Sequence, residues 1–351
     1  MMLRRRLPVF VLWLLLCLVL PGQARDWAKD PPFIDIRFAP LVAAIGDIHG
    51  AWPEFVASLK AVGMARPRPG PERALQWTGG TGLLILTGDY GDRGEYTREV
   101  YDAIIDLEAQ AAQAGGRVIA LLGNHEALLL NGTVEKWAKT LKPPKKQHYQ
   151  NTIDSFTRAG LDFHEVISPK GRYGSWIRRR PLFAIVNGWL FIHGGVRDPA
   201  TTRSELAADF RDALDAEAWS GPFFMGEKDV LWFREWWNDD LLVQRNLKLL
   251  GVSGIVFGHT IGAMGQEGRI NLKNGKLIGI DVGMCPVFGK SAGAGLVITA
   301  TPKGRMTFEA RYADHPPVEL LTTTIAVPAA TGLAPTGTTG SPVPRRPWRR
   351  P

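Results

Sequence analysis

The sequence predicts an α/β layered fold with mixed sheets, and three observations carry that prediction. Strand-like apolar runs alternate with amphipathic helical stretches through the middle of the chain, the pattern of sheets covered by helices. Six of the runs are nearly continuous in apolar residues, as strands buried on both faces are, and each breaks off among Gly with Asp, Asn or His. Two Asn-Gly pairs, Asn187-Gly188 and Asn274-Gly275, sit between apolar stretches and read as hairpin turns, which adds antiparallel pairing.

With 351 residues, 45% of them hydrophobic and 22% charged, the chain can bury a substantial core and is neither disordered nor fibrous. Its first 24 residues stand apart. Arg4, Arg5 and Arg6 precede the apolar segment "VFVLWLLLCLVL" (9–20), which is too short to cross a bilayer comfortably. Gly22 and Ala24 then mark a cleavage point after Ala24. The reading is a signal peptide over 1–24 and export to the periplasm or beyond, with a retained N-terminal anchor as the alternative. Cys17 would leave with that segment. Cys285 would then be the only cysteine, and stability must come from the core.

Residues 25–40 read as an irregular lead-in to the main unit, 41–321. Pro53 in "PEFVASLKAVG" marks a helix start. "TREVYDAIIDLEAQAAQAGG" puts Val100, Ile104, Leu107 and Ala111 on one helix face, and the Gly pair stops it. From 322 to 351 the chain is rich in Thr, Pro and Gly, and is expected to be a disordered basic tail. The formal charge of +8 is concentrated at the ends: three arginines lie in the signal segment and four in the last seven residues. The body is close to neutral. No basic face for nucleic acid is expected, and no stable membrane span in the mature chain.

The six runs are "LVAAIGDIHG" (41–50), "LLILTGDYGDRG" (83–94), "RVIALLGNHE" (117–126), "WLFIHGG" (189–195), "GIVFGHT" (254–260) and "LIGIDVG" (277–283). Sheets of this class place ligands beyond the carboxyl ends of their strands. If the runs share one sheet edge, Asp47, His49, Asp89, Asn124, His193 and His259 converge there. Three imidazoles, two carboxylates and an amide, without thiolate, suit Mn, Fe or Zn and no closed structural zinc site. The set is too large for one ion that must also hold substrate, and about right for two.

The ordered motifs "GDIHG", "GDYGDRG" and "GNHE", followed by "HGG" and a later "GH", resemble the PPP-type phosphoprotein phosphatases of the calcineurin-like metallophosphoesterase superfamily. The resemblance covers about residues 41–300. It implies a central β-sandwich flanked by helices, with two divalent metal ions at the sheet edge and a hydroxide between them as nucleophile. Asp47, His49 and Asp89 would hold the first ion, and Asp89 would bridge to a second completed by Asn124, His193 and His259. His125 would be the general acid and Asp92 its orienting carboxylate. Arg93 would grip phosphate, with Asn124 and Arg234 as further substrate contacts. Leu122 stands where eukaryotic serine/threonine members carry Arg, and "DVGMCPVFG" (281–289) replaces their C-terminal motif. The pattern is similar to the bacterial-type, Shewanella-like branch, which leaves phosphotyrosine open beside phosphoserine and phosphothreonine. Residues 127–192 would include a mostly helical cap insertion.

The function so implied is hydrolysis of a phosphomonoester on a protein, peptide or small molecule. A dinucleoside-polyphosphate hydrolase shares "GDIHG" and a "GNH" motif, but typically lacks the second Asp of "GDYGDRG". A non-catalytic, metal-stabilised binding module is the third reading, and the occupation of every expected catalytic position counts against it.

Overall fold

The computed structural model describes residues 25–70 and 73–324. The signal peptide expected over 1–24, and with it any statement on export, lies outside the described residues. The strands run β1 Phe33–Ile36, β2 Leu41–Ile45, β3 Ala65–Pro67, β4 Leu75–Trp77, β5 Leu83–Leu86, β6 Arg117–Ala120 and β7 Phe183–Val186. They continue as β8 Trp189–Ile192, β9 Gly254–Phe257, β10 Asn271–Lys273, β11 Leu277–Gly279, β12 Ala294–Ala300, β13 Arg305–Tyr312 and β14 Val318–Thr324. The helices are α1 Trp52–Ala61, α2 Thr97–Gln113, α3 Asn124–Leu130, α4 Thr133–Thr140 and α5 Lys145–Thr157. After them come α6 Phe163–Ile167, α7 Arg172–Arg178, α8 Arg203–Asp215, α9 Pro222–Met225 and α10 Asp240–Leu250.

Two six-stranded mixed sheets form the α/β core, ordered β1-β7-β8-β9-β11-β10 and β14-β13-β12-β2-β5-β6; β3 and β4 pair separately. Their inner faces meet where Trp189 of β8 packs on Phe308 of β13, with ring centroids 4.5 Å apart. Both rings are buried, and truncating either to Ala would cost about 3–5 kcal/mol. Strands β5, β7, β8 and β9 are buried at every position, which is why they read as unbroken apolar runs. At one sheet edge β14 is polar and half open, the usual protection against edge pairing.

The six strands behind the motifs do not form one sheet. They form two parallel triplets, β2-β5-β6 in one sheet and β8-β9-β11 in the other. The ends of the triplets are joined across the sandwich. His259, just past β9, donates its N–H to Asp47, just past β2, at 2.9 Å, and the ring of His193 past β8 meets the carbonyl of Thr87 past β5 at 2.9 Å. Convergence therefore comes from two sheets meeting edge to edge at their carboxyl ends.

Both Asn-Gly pairs are turns. Asn187 (φ 53°) and Gly188 (φ 75°) close a two-residue loop between β7 and β8, the left-handed pair that a type I′ hairpin requires. Asn187 also exchanges two 2.8 Å hydrogen bonds with the backbone of Ala39. On α2 the expected face of Val100, Ile104, Leu107 and Ala111 is buried.

Three expected boundaries shift. The lead-in 25–40 is not wholly irregular, because β1 pairs in parallel with β7. Within 127–192 the helical part ends at Arg178, and β7 and β8 belong to the core sheet. Of the tail expected over 322–351, Thr322, Thr323 and Thr324 complete β14 against β13, and the rest lies outside the described residues. Among the described residues no helix is long and apolar enough to cross a membrane.

Candidate metal centre

The strand ends turn abruptly into loops, and the site residues carry the turn. His49, Asp89, Asp92, Arg93 and His259 all have φ between 50° and 72°, the left-handed region in which a non-glycine residue costs about 1–3 kcal/mol. Compensation is visible in Glu126. Its buried carboxylate accepts the N–H groups of Asp89 (2.8 Å), Gly123 (3.1 Å) and Tyr90 (2.9 Å) and the hydroxyl of Tyr101 (3.1 Å). Glycine is required at Gly123, where a Cβ would collide with the backbone and carboxylate of Asp89, and at Gly258, where it would collide with the carboxylate of Asp47.

All six expected ligands are buried and meet around Asp89. Nε2 of His49 lies 3.6 Å from Oδ2 of Asp89 and 3.9 Å from Oδ2 of Asp47. On the other side, Nε2 of His193 lies 3.4 Å from Oδ1 of Asp89 and 2.7 Å from Oδ1 of Asn124; Nδ1 of His259 is 3.1 Å from the same Asn124 oxygen. Asp89 thus shows one oxygen to each group. Ligand atoms of Asp89, His193 and His259 fall within 4.8 Å of one another, as do those of His49, Asp89 and His125.

The tautomers argue that this is a cation site. The ring nitrogen facing away from the centre meets a backbone carbonyl in each of the three imidazoles: Gly91 for His49 (3.0 Å), Thr87 for His193 (2.9 Å) and Trp232 for His259 (3.2 Å). Those nitrogens carry the protons, so the inward nitrogens present lone pairs. Lone pairs of His193 and His259 then face the Asn124 carbonyl oxygen, acceptor against acceptor. Protonation is no remedy, because burial pushes His193 down to about 3 and, with neighbouring positive charge, lowers His49 and His259 as well. Burial raises Asp47 and Asp89, and repulsion adds to it, from Asp281 and Asp89 on Asp47 and from Glu126 and Asp281 on Asp89. Divalent cations held by these ligands would remove both conflicts at once. The residues present fit two such ions.

Beside this centre, Nδ1 of His125 is 2.7 Å from Oδ2 of Asp92, and the hydroxyl of Thr152 donates to the other Asp92 oxygen at 2.8 Å. Burial pushes Asp92 up to about 7, opposed by Thr152 and Arg93, while burial and the charges of Arg93 and Arg234 lower His125. Arg93 extends toward Nε2 of His125 (3.2 Å), its guanidinium 5.1 Å from the ring of Phe288, and its buried Nε has no partner among the described residues. Arg234 is exposed, yet its charge is felt at Asp47, His125, His193, His259 and Asp281, which places it at the mouth of the site.

Three residues of the site are given no role by the sequence reading, two of them inside the quoted runs. Asp281 ends the sixth apolar run as a buried carboxyl pushed up to about 6 by burial, and it adds to the repulsion on Asp47. Its signal was present, since "LIGIDVG" repeats the strand-end pattern. Glu126 is visible as the third helical residue of α3, reaching back to the N-terminus; the N-cap is Gly123, and Asn124 opens the helix. Thr152 gives no local signal at all.

A sandwich of two mixed sheets with a buried His/Asp/Asn cluster at its carboxyl edge defines a metal-dependent hydrolase. The model of the calcineurin-like phosphoesterase family matches residues 40–262, and the chain belongs to that family; it is a metallophosphoesterase. It is 25% identical over 308 residues to Shewanella-like protein phosphatase 2 of Arabidopsis thaliana, with 74% of this chain and 76% of that protein covered. Over 179 residues it is 29% identical to Shewanella-like protein phosphatase 1 of Plasmodium berghei, which covers 51% of this chain and 45% of that one. Among solved structures, a cold-active protein-tyrosine phosphatase from a psychrophilic Shewanella species superposes with a TM-score of 0.64 at 22% identity, covering 86% of each chain. That likeness concerns the fold.

Proposed function

We propose that this chain hydrolyses phosphomonoesters on proteins or peptides, with Asp47, His49, Asp89, Asn124, His193 and His259 holding two divalent cations of the Mn, Fe or Zn type. The observation that carries the reading is the set of three imidazoles, each locked by a backbone carbonyl with its lone pair toward the cluster around Asp89 and Asn124. The protein-phosphatase names of two relatives support the substrate class. Bound cations would supply an acidified water as nucleophile and neutralise phosphate oxygens. Arg93 offers its planar fork and a buried, unpartnered Nε to the phosphate, and Arg234 approaches from the mouth. When Arg93 turns to phosphate it releases Nε2 of His125, which can then carry a proton to the leaving oxygen as the P–O bond breaks. Asp92 at 2.7 Å holds the ring and steadies its charged form. The export signal read in residues 1–24 would place this activity in the periplasm or outside the cell.

The test is Asp89→Asn, with metal content and turnover measured on purified protein. Expected are loss of at least one equivalent of metal and a fall of roughly 10³-fold or more in kcat/KM on phosphopeptides, with circular dichroism unchanged. Full turnover by the variant would reject the reading. Phosphotyrosine and phosphoserine peptides run in parallel give the residue preference, and a dinucleoside tetraphosphate as the better substrate would reassign the enzyme.

A further inference from the structure

Helix α5 lies in the helical insertion, away from every motif in the chain, yet it is bound along its length to the loop that follows β5 and to the start of α2. The carbonyl of His148 accepts from Arg93 N–H at 2.9 Å, and the Asn151 side chain donates to the Arg93 carbonyl at 2.9 Å. Ser155 accepts from Arg98 N–H at 3.2 Å, and Arg158, just past the helix, reaches the Glu95 carbonyl. Among these contacts Thr152 differs in kind. It is fully buried, and its hydroxyl donates to Oδ1 of Asp92, the carboxylate whose Oδ2 meets His125. A hydroxyl has one proton. With that proton given to Asp92, the 3.4 Å contact between Thr152 and Thr97 runs the other way, from the Thr97 hydroxyl to the Thr152 oxygen. The result is a directed series, Thr97 to Thr152 to Asp92, ending at the His125 ring, in a region closed to water.

We infer that Thr152 is a positioning residue for the general acid: it fixes the Asp92 carboxylate so that His125 points its free nitrogen at the leaving oxygen, and helix α5 thereby becomes part of the catalytic apparatus. This rests on the reading of His125 as acid. A carboxylate held at one oxygen only can rotate about its χ2 bond and carry the imidazole with it. Thr152 supplies the second point of attachment. The geometry required is tight, because proton delivery falls off steeply when the donor is displaced. A residue acting in this way matters most when the leaving group needs a proton, as an alkyl alcohol does and p-nitrophenol does not.

Thr152→Val, which keeps shape and removes the hydroxyl, is compared with Thr152→Ser in metal-loaded enzyme. For Thr152→Val, kcat on a phosphoserine peptide should fall roughly tenfold, and at least about five times more than on p-nitrophenyl phosphate, with KM changed by less than about twofold. Thr152→Ser should recover kcat to within about twofold of the parent. In the metal-free protein, the low-field proton resonance of the His125–Asp92 hydrogen bond should move or broaden in Thr152→Val and persist in Thr152→Ser. Equal losses on both substrates, or a serine variant as poor as the valine one, would overturn the inference in favour of a packing role. His125→Ala separates the two levels. If it shows the leaving-group-dependent loss and Thr152→Val does not, only Thr152 is misassigned; if it shows no such dependence, the acid itself is misassigned and the inference falls with it.

Discussion

The metal centre and the acid-and-phosphate loop lie side by side but are built by different parts of the chain. Asp47, Asp89, His193 and His259 stand at the ends of central strands from two sheets, and backbone carbonyls or N–H groups of neighbouring strand ends, of the start of α3 and of the turn at Trp232 fix their orientation. Asp92 and Arg93 stand further out, on a loop gripped from the far side by α5. A sheet edge offers little freedom once its strands are in register, whereas an inserted helix can be exchanged or displaced without unmaking the core. The difference teaches that chemistry common to a family can be held by the sandwich while its substrate-facing part is tuned by the insertion.

The largest effect that would break this comparison concerns Glu126, which ties the two regions by holding the backbone of Asp89 and Tyr90 at once. Glu126→Ala strands three backbone N–H groups and the Tyr101 hydroxyl in the core. It should cost about 3 kcal/mol or more in urea denaturation of the metal-free protein. A loss under about 1 kcal/mol would show that Glu126 is no tie and that the centre and the loop are held independently; the full loss would mean that they share one support.

What the sequence made legible follows the same division. Strand ends are local features: an apolar run that stops at Gly-Asp or Gly-His declares both the strand and the ligand, so Asp47, His49, Asp89, Asn124, His193 and His259 could be named and do meet. The apolar runs by themselves do not tell that two sheets rather than one deliver them, because pairing partners are set by long-range register; only the family resemblance implies a sandwich. For the same reason β1 was hidden: "FIDI" behind two prolines reads as a lead-in until its partner β7, far along the chain, is known. Thr322, Thr323 and Thr324 looked like the start of a low-complexity tail, yet β-branched Thr suits an edge strand once β13 is there to pair with. Asp281 shares the strand-end signal but belongs to none of the motifs that carry the family resemblance, and Thr152 sits mid-helix with nothing nearby in sequence to mark it.

A smaller effect sharpens the comparison on the phosphate side. Arg93→Lys retains charge but loses the planar fork and the face that packs on Phe288, so KM for a phosphopeptide should rise about tenfold, with a lesser fall in kcat. Metal content should stay at the parent level, since the Arg93 side chain hydrogen-bonds to His125 and to none of the six candidate ligands. Parallel loss of metal would mean that the loop and the centre act as one body.

Smallest of all should be Asn151→Ala on α5. It removes the 2.9 Å bond to the Arg93 carbonyl and leaves the bond from Arg93 N–H to His148 in place, so the loop keeps one of two backbone ties. A single partly buried hydrogen bond contributes about 1 kcal/mol, which corresponds to a rise of roughly fivefold in KM if all of it is lost from the bound state. The measurement is KM for one phosphopeptide beside urea stability. If α5 orients Arg93, KM should rise while the urea midpoint hardly moves, because the helix remains packed through Tyr149 and Phe156. If the midpoint falls and KM does not, α5 is a structural brace and the tuning role belongs to the loop's own left-handed backbone.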